Sequence, residues 1–192
     1  MATQGPNYPT TSVTSSVAPE NADAWVNPLN VGANDGTTAS ITAASFDSPD
    51  ISQRMVTGGY GFTVPANAVS IDGVVVEIDR NNAAGAASDN RVQLLNELGA
   101  IAGNNNADLA TDWPAALSVV TYGSATTTWG LALTPAIVND PDFGVCLSAQ
   151  ADAANTDIAV DFIRMTVHYT PAVGGSTPIS AYYSHYYQRV VV

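Results

Sequence analysis

Apolar residues in this chain recur at every second position, and that spacing excludes most helical folds from the outset. In Val74-Val75-Val76-Glu77-Ile78-Asp79-Arg80, the side chains of Val74, Val76 and Ile78 share one face while Glu77 and Asp79 take the other. That is the pattern of an antiparallel strand with one buried and one wet side. Phe143, Val145 and Leu147 repeat it, as do Trp129, Leu131 and Leu133. Further strands are expected near 39–44, 60–64, 91–95 and 117–122, because Gly, Asn and Asp break the chain at intervals too short for long helices.

Between Asp157 and Tyr169 the alternation changes phase. Ile158, Val160 and Phe162 keep one parity, then Ile163, Met165, Val167 and Tyr169 keep the other. A one-residue slip inside a continuous strand is what a bulge produces, so a bulge is predicted at Phe162-Ile163. One helical turn is signalled, with Thr134 as cap, Pro135 in the first position and Asn139-Asp140-Pro141 as the stop. Many short strands and a single helical turn imply an all-β, antiparallel β-sandwich of the jelly-roll kind with extended N- and C-terminal arms. Residues 1–22, rich in Pro, Ser and Thr, read as the N-terminal arm, 23–170 as the sandwich, and 171–192 as a linker and aromatic tail. The tract Thr10-Thr11-Ser12-Val13-Thr14-Ser15-Ser16-Val17 offers too little apolar surface to order itself, so its restraint is expected from a partner.

Charge narrows the function. There is no lysine, and five arginines face 17 carboxylates for a formal charge of −12. With no basic stripe to neutralise phosphates, neither nucleic acid nor an anionic membrane is expected as a partner. Cys146 is alone, which leaves no internal disulfide and no Cys/His spacing for zinc, and no cofactor is expected. The opening Met1-Ala2-Thr3-Gln4-Gly5-Pro6 lacks a basic segment followed by an apolar run, so export by an ordinary signal peptide is not expected, whereas release within a virion fits.

A family pattern spans most of the central region. Trp25-Val26-Asn27-Pro28-Leu29-Asn30 precedes Asn34-Asp35-Gly36-Thr37-Thr38-Ala39, followed by Gly59-Tyr60-Gly61-Phe62-Thr63-Val64-Pro65 and Ile71-Asp72-Gly73-Val74-Val75-Val76-Glu77-Ile78. Tyr122-Gly123, Thr128-Trp129-Gly130-Leu131, Asp142-Phe143-Gly144-Val145 and Val160-Asp161-Phe162-Ile163-Arg164-Met165-Thr166-Val167-His168-Tyr169 complete the series. This order resembles the jelly-roll structural domains of tailed-phage virion proteins, which serve as capsid decoration, minor capsid or fibre modules. The resemblance implies a fold and a building role. It implies no catalytic motif.

The candidate site is the tail. Tyr182, Tyr183, Tyr186 and Tyr187 with Val190, Val191 and Val192 form a β-prone strip, expected to be covered by subunit contact rather than left bare. His168 and His185 are the only histidines, and His168 has the parity opposite to Val167 and Tyr169, which places it outward without a partner for acid–base work. Asp47-Ser48-Pro49-Asp50 and Asp140-Pro141-Asp142 offer oxygens for calcium, but turns beside proline account for both. Trp25, Trp113 and Trp129 invite a sugar-stacking reading, against which the parity of Trp129 points to the core. Gly58-Gly59-Tyr60-Gly61 lacks the Lys-Ser/Thr of a phosphate loop and reads as a turn.

The expectation is therefore a non-enzymatic virion structural protein, a capsid decoration or minor capsid component. It assembles as a homo-oligomer or with other virion structural proteins through its arms. The alternative is a receptor- or glycan-binding module of a tail fibre or adhesin, whose partner would be a surface glycan.

Overall fold

The computed structural model describes residues 1–42 and 46–172. Among these residues ten strands form two five-stranded antiparallel sheets that pack face to face as a β-sandwich. In chain order they are β1 (Ala2–Asn7), β2 (Thr11–Ser15), β3 (Ala39–Thr42), β4 (Arg54–Gly58), β5 (Ser70–Ala84), β6 (Ala87–Leu95), β7 (Ile101–Ala102), β8 (Ser118–Gly123), β9 (Val145–Ala151) and β10 (Asp157–Thr170). The first sheet runs β1-β10-β5-β8, with β3 sharing the β1 side of β10; the second runs β2-β4-β9-β6-β7.

Alternation builds the core as the strands predict. Val74, Val76 and Ile78 of β5, Val145, Leu147 and Ala149 of β9 and Ile163, Met165 and Val167 of β10 all turn into one buried cluster. Each Val, Leu, Ile or Met among them contributes about 1.5–3 kcal/mol on full burial. The helical turn α1 (Pro135–Val138) forms as its sequence requires: Thr134 Oγ1 accepts from the Ile137 amide, and Pro135 occupies the first turn.

The bulge in β10 falls one residue earlier than expected. Val160 pairs with Arg80 and Phe162 with Asp79, so Asp161 is the extra residue. Its carboxylate is held by the Gly36 amide at 2.9 Å. The slip sends Phe162 to the outer face, where Tyr8 meets its ring edge-on at 5.9 Å and the Arg164 guanidinium lies 4.9 Å from its centroid. Phe162 thus stands outside the main core while remaining 1 % exposed.

Two expected strands are not strands. Tyr60, Phe62 and Val64 are buried alternately, yet Gly59 and Gly61 adopt positive φ and the segment joins no ladder. Trp129 is fully buried, but it sits at φ 58° beside Gly130 at φ 75° in a turn closed by the Leu131 amide on the Thr128 carbonyl. Parity captured the burial in both segments, while left-handed backbone prevented pairing.

The N-terminal arm requires the largest correction. Residues 1–22 do not extend from the body: β1 pairs with β10, and β2 pairs with β4 through Thr11↔Gly58 to Ser15↔Arg54. No residue of β1 is buried and only Ser12 of β2 is, so side-chain burial is not what holds them. Backbone ladder bonds to two open sheet edges supply the order. Tyr8 on Phe162 and the buried Glu20 fasten the segment beyond each strand.

Candidate functional site

Most of the side chains that could carry chemistry make structural contacts. His168 lies half-buried on the outer face of the first sheet, opposite Thr3 of β1 and Gly73 of β5. Asp140 Oδ1 accepts from the Asp142 amide at 2.9 Å, as the carboxylate of an Asx turn does, whereas Asp47 Oδ1 makes a long-range bond, accepting from the Asn155 amide at 2.6 Å. Among the described residues no group of three or more His, Cys, Asp or Glu side chains could hold a metal ion. Trp25, Trp113 and Trp129 are each at most 3 % exposed. Their indole N–H groups donate to Gln53 O, Asp89 Oδ1 and Val74 O, so none turns a free face outward for stacking.

Two ionic hubs were not anticipated. The first lies between the sheets, where Asp89 of β6 is a fourfold acceptor. Oδ1 receives Arg80 and the Trp113 indole N–H at 2.9 Å; Oδ2 receives the Tyr122 hydroxyl at 2.8 Å and the Asp108 amide at 2.9 Å. The Arg80 guanidinium lies 4.7 Å from the Trp113 ring centroid, and Trp25 stacks on Trp113. Burial, reinforced by the Asp89 charge, drives the Tyr122 phenol far above its ordinary value. It therefore remains a donor at any working pH.

The second hub sits on the outer face of the second sheet. Glu20, fully buried, receives Arg54 of β4 and Arg91 of β6, with Ser148 Oγ of β9 donating at 3.0 Å. Burial pushes its carboxyl up, but the hydrogen bonds from Arg91, Arg54 and Ser148 outweigh it and hold the group below its ordinary value. One side chain thereby ties the N-terminal segment across three neighbouring strands. Beside it, burial above all pushes the Cys146 thiol up to about 12, which makes it a packing residue and not a nucleophile.

With Arg164 bidentate on Glu77 at 2.9 and 3.0 Å, each of the four arginines among the described residues is matched to a carboxylate. None remains to clamp a phosphate. The sequence carried a signal for the first hub, since Arg80 shares parity with Val74, Val76 and Ile78 and so had to point inward. Nothing local marked Glu20, whose partners lie 34 to 128 residues away.

What stays outside the core is surface and edge. An open hollow of about 180 Å³ on the second sheet is lined by Thr11, Val13, Val56, Thr57, Leu95 and Pro141, among others. It is smaller than the roughly 300–1,000 Å³ of a small-molecule site. The sheets end in β1 and β8 on the one hand and β2 and β7 on the other. Tyr182, Tyr183, Tyr186, Tyr187, Val190, Val191 and Val192 lie outside the described residues, as does His185. No family model, curated protein or solved structure matches this chain.

Proposed function

We propose that this protein is a structural building unit of a virion, a capsid decoration or minor capsid component that joins its lattice through the C-terminal segment. The observation that carries the reading is the internal commitment of the body's reactive groups. Every described arginine is locked in an ion pair, every tryptophan is enclosed, and the hollow is too small for a ligand-sized guest. A body so arranged contributes rigidity and surface.

Strand order supports the finer architectural reading. The eight strands from β3 to β10 divide between the sheets as β3-β10-β5-β8 and β4-β9-β6-β7, the distribution that two nested Greek keys generate in a jelly roll. Jelly rolls also carry lectins, but the enclosed tryptophans leave the glycan-binding alternative without a tryptophan platform. The strip from Tyr182 to Val192 follows the last sandwich strand and brings aromatic area of about 150–250 Å² per ring to a junction. Avidity over repeated copies would multiply a modest contact.

Deletion of residues 179–192 tests the proposal. The expected result is an unchanged melting temperature of the sandwich together with loss of incorporation into particles or higher assemblies, read by negative-stain imaging and sedimentation. Assembly that proceeds undiminished without these residues would overturn it.

A further inference from the structure

The geometry points to a second self-association surface, independent of the tail: the free edge of β8, which we infer pairs antiparallel with β8 of a second copy to make one continuous sheet across a twofold axis. Among the described residues β8 has β5 on one side and no strand on the other. Exposed sheet edges are ordinarily blunted by lysine, proline, a bulge or brevity. None of these is present: β8 is six residues long, Ser-Val-Val-Thr-Tyr-Gly, and pairs with β5 in unbroken register from Arg80↔Ser118 to Val75↔Gly123. Val119 within it is 46 % exposed, and Leu117 just before it is 40 % exposed.

The other edges differ. β7 has two residues. β1 carries a register shift between Gln4 and Asn7 and is flanked by Gln4 and Asn7 side-chain bonds to Thr63 and Tyr60. β2 is Thr-Ser-Val-Thr-Ser, with a single apolar side chain.

Charge selects the occupant. A molecule of net charge −12 repels its own copy unless they meet on neutral ground. No charged side chain occurs from Trp113 to Asn139, the longest such run in the chain, and β8 lies inside it. An antiparallel edge pairs with itself by symmetry, the isologous arrangement of a twofold dimer. Face matching further restricts the register. Val120 and Tyr122 look inward with Ile78 and Val76, while Val119 and Thr121 look outward with Asp79 and Glu77. The axis must therefore fall on a residue and not between two, for example at Val120, which sets Val119 opposite Thr121 of the second copy.

The test is sedimentation of the full chain over a concentration series up to about 100 μM, a ceiling corresponding to about 5.5 kcal/mol. A dimer is expected, weakened at least tenfold by Val119→Lys and by Val119→Glu, each checked for an intact fold by circular dichroism. Mixing the two variants restores a heterodimer, because diagonal outward positions across the axis then carry opposite charges. Val13→Lys, on the β2 edge, leaves the dimer unchanged, as does removal of residues 173–192. A monomer at every concentration, a dimer indifferent to Val119→Lys, or one lost on removing residues 173–192 would each overturn the inference. The last would assign the contact to the tail instead.

Discussion

At the residue scale the fold is governed by a few buried charges held in ion pairs. Asp89 makes four acceptor contacts, so substitution removes more than one bond: it strands the Arg80 guanidinium between the sheets. Breaking such a pair from one side costs on the order of 3–5 kcal/mol, whereas replacing both partners by apolar groups of similar volume costs far less. Asp89→Asn should lower the unfolding free energy from urea titration by that amount, and Arg80→Met combined with Asp89→Leu should recover a substantial part of it. Equal losses in both variants would mean that the ion pair itself supplies the stability. Asp79 shows the opposite balance. Burial, with a smaller contribution from the neighbouring Asp161 charge, raises its carboxyl above 3.8. Its ionised form is thus disfavoured in the fold, a cost that is present at neutral pH and vanishes as pH falls through the raised value. Asp79→Asn should raise the melting temperature at pH 7 by about 1–3 °C, with the gain disappearing below pH 3.8. A destabilised variant at pH 7 would show that Asp79 has a favourable role that its surroundings do not reveal.

Element-scale logic separates what the sequence expresses from what it conceals. Period-two alternation located the long strands β5, β6, β8, β9 and β10 because each turns apolar side chains into one core, and the phase change in β10 exposed its bulge. It missed the placement of that bulge because a long-range capture by Gly36 chose Asp161 as the extra residue. It missed β1 and β2 because backbone pairing at an edge leaves no trace in side-chain pattern: Ser and Thr tracts read as an arm and fold as strands. Glu20 was equally silent, being one acid followed by nothing periodic. Its depressed carboxyl sets a pH dependence with a defined sign. A folded-state value below the unfolded one stabilises at neutral pH, and that contribution drains away as pH falls below about 4.5 toward the folded value. The N-terminal strands should therefore lose amide-exchange protection before the core strands β5 and β10 on acidification, and Glu20→Gln should produce the same selective loss at pH 7. Simultaneous exchange of all strands under both conditions would place Glu20 in the global unfolding unit and not in a local clasp.

For the whole molecule, the decisive imbalance is between 17 carboxylates and five arginines, of which the four in the described residues are already paired. Few cations are left to offset the repulsion among the remaining acids, so the compact state carries an electrostatic cost that the unfolded chain relieves by expanding. Salt shortens the reach of that repulsion from about 10 Å at 0.1 M toward about 3 Å at 1 M. The Asp89–Arg80 pair is shielded from this screening, the Glu20 pairs less so because Arg54 and Arg91 are partly exposed, and the Arg164–Glu77 pair least of all. Raising sodium chloride from 10 mM to 500 mM should consequently increase the melting temperature by a few degrees, an effect of about 1 kcal/mol at this size. The same screening should strengthen pairing through the uncharged β8 edge, since approach of two acidic bodies is what opposes it. A melting temperature that falls with salt would mean that attraction outweighs repulsion at the surface, and an acidic exterior could then no longer be held responsible for keeping copies apart except along that edge.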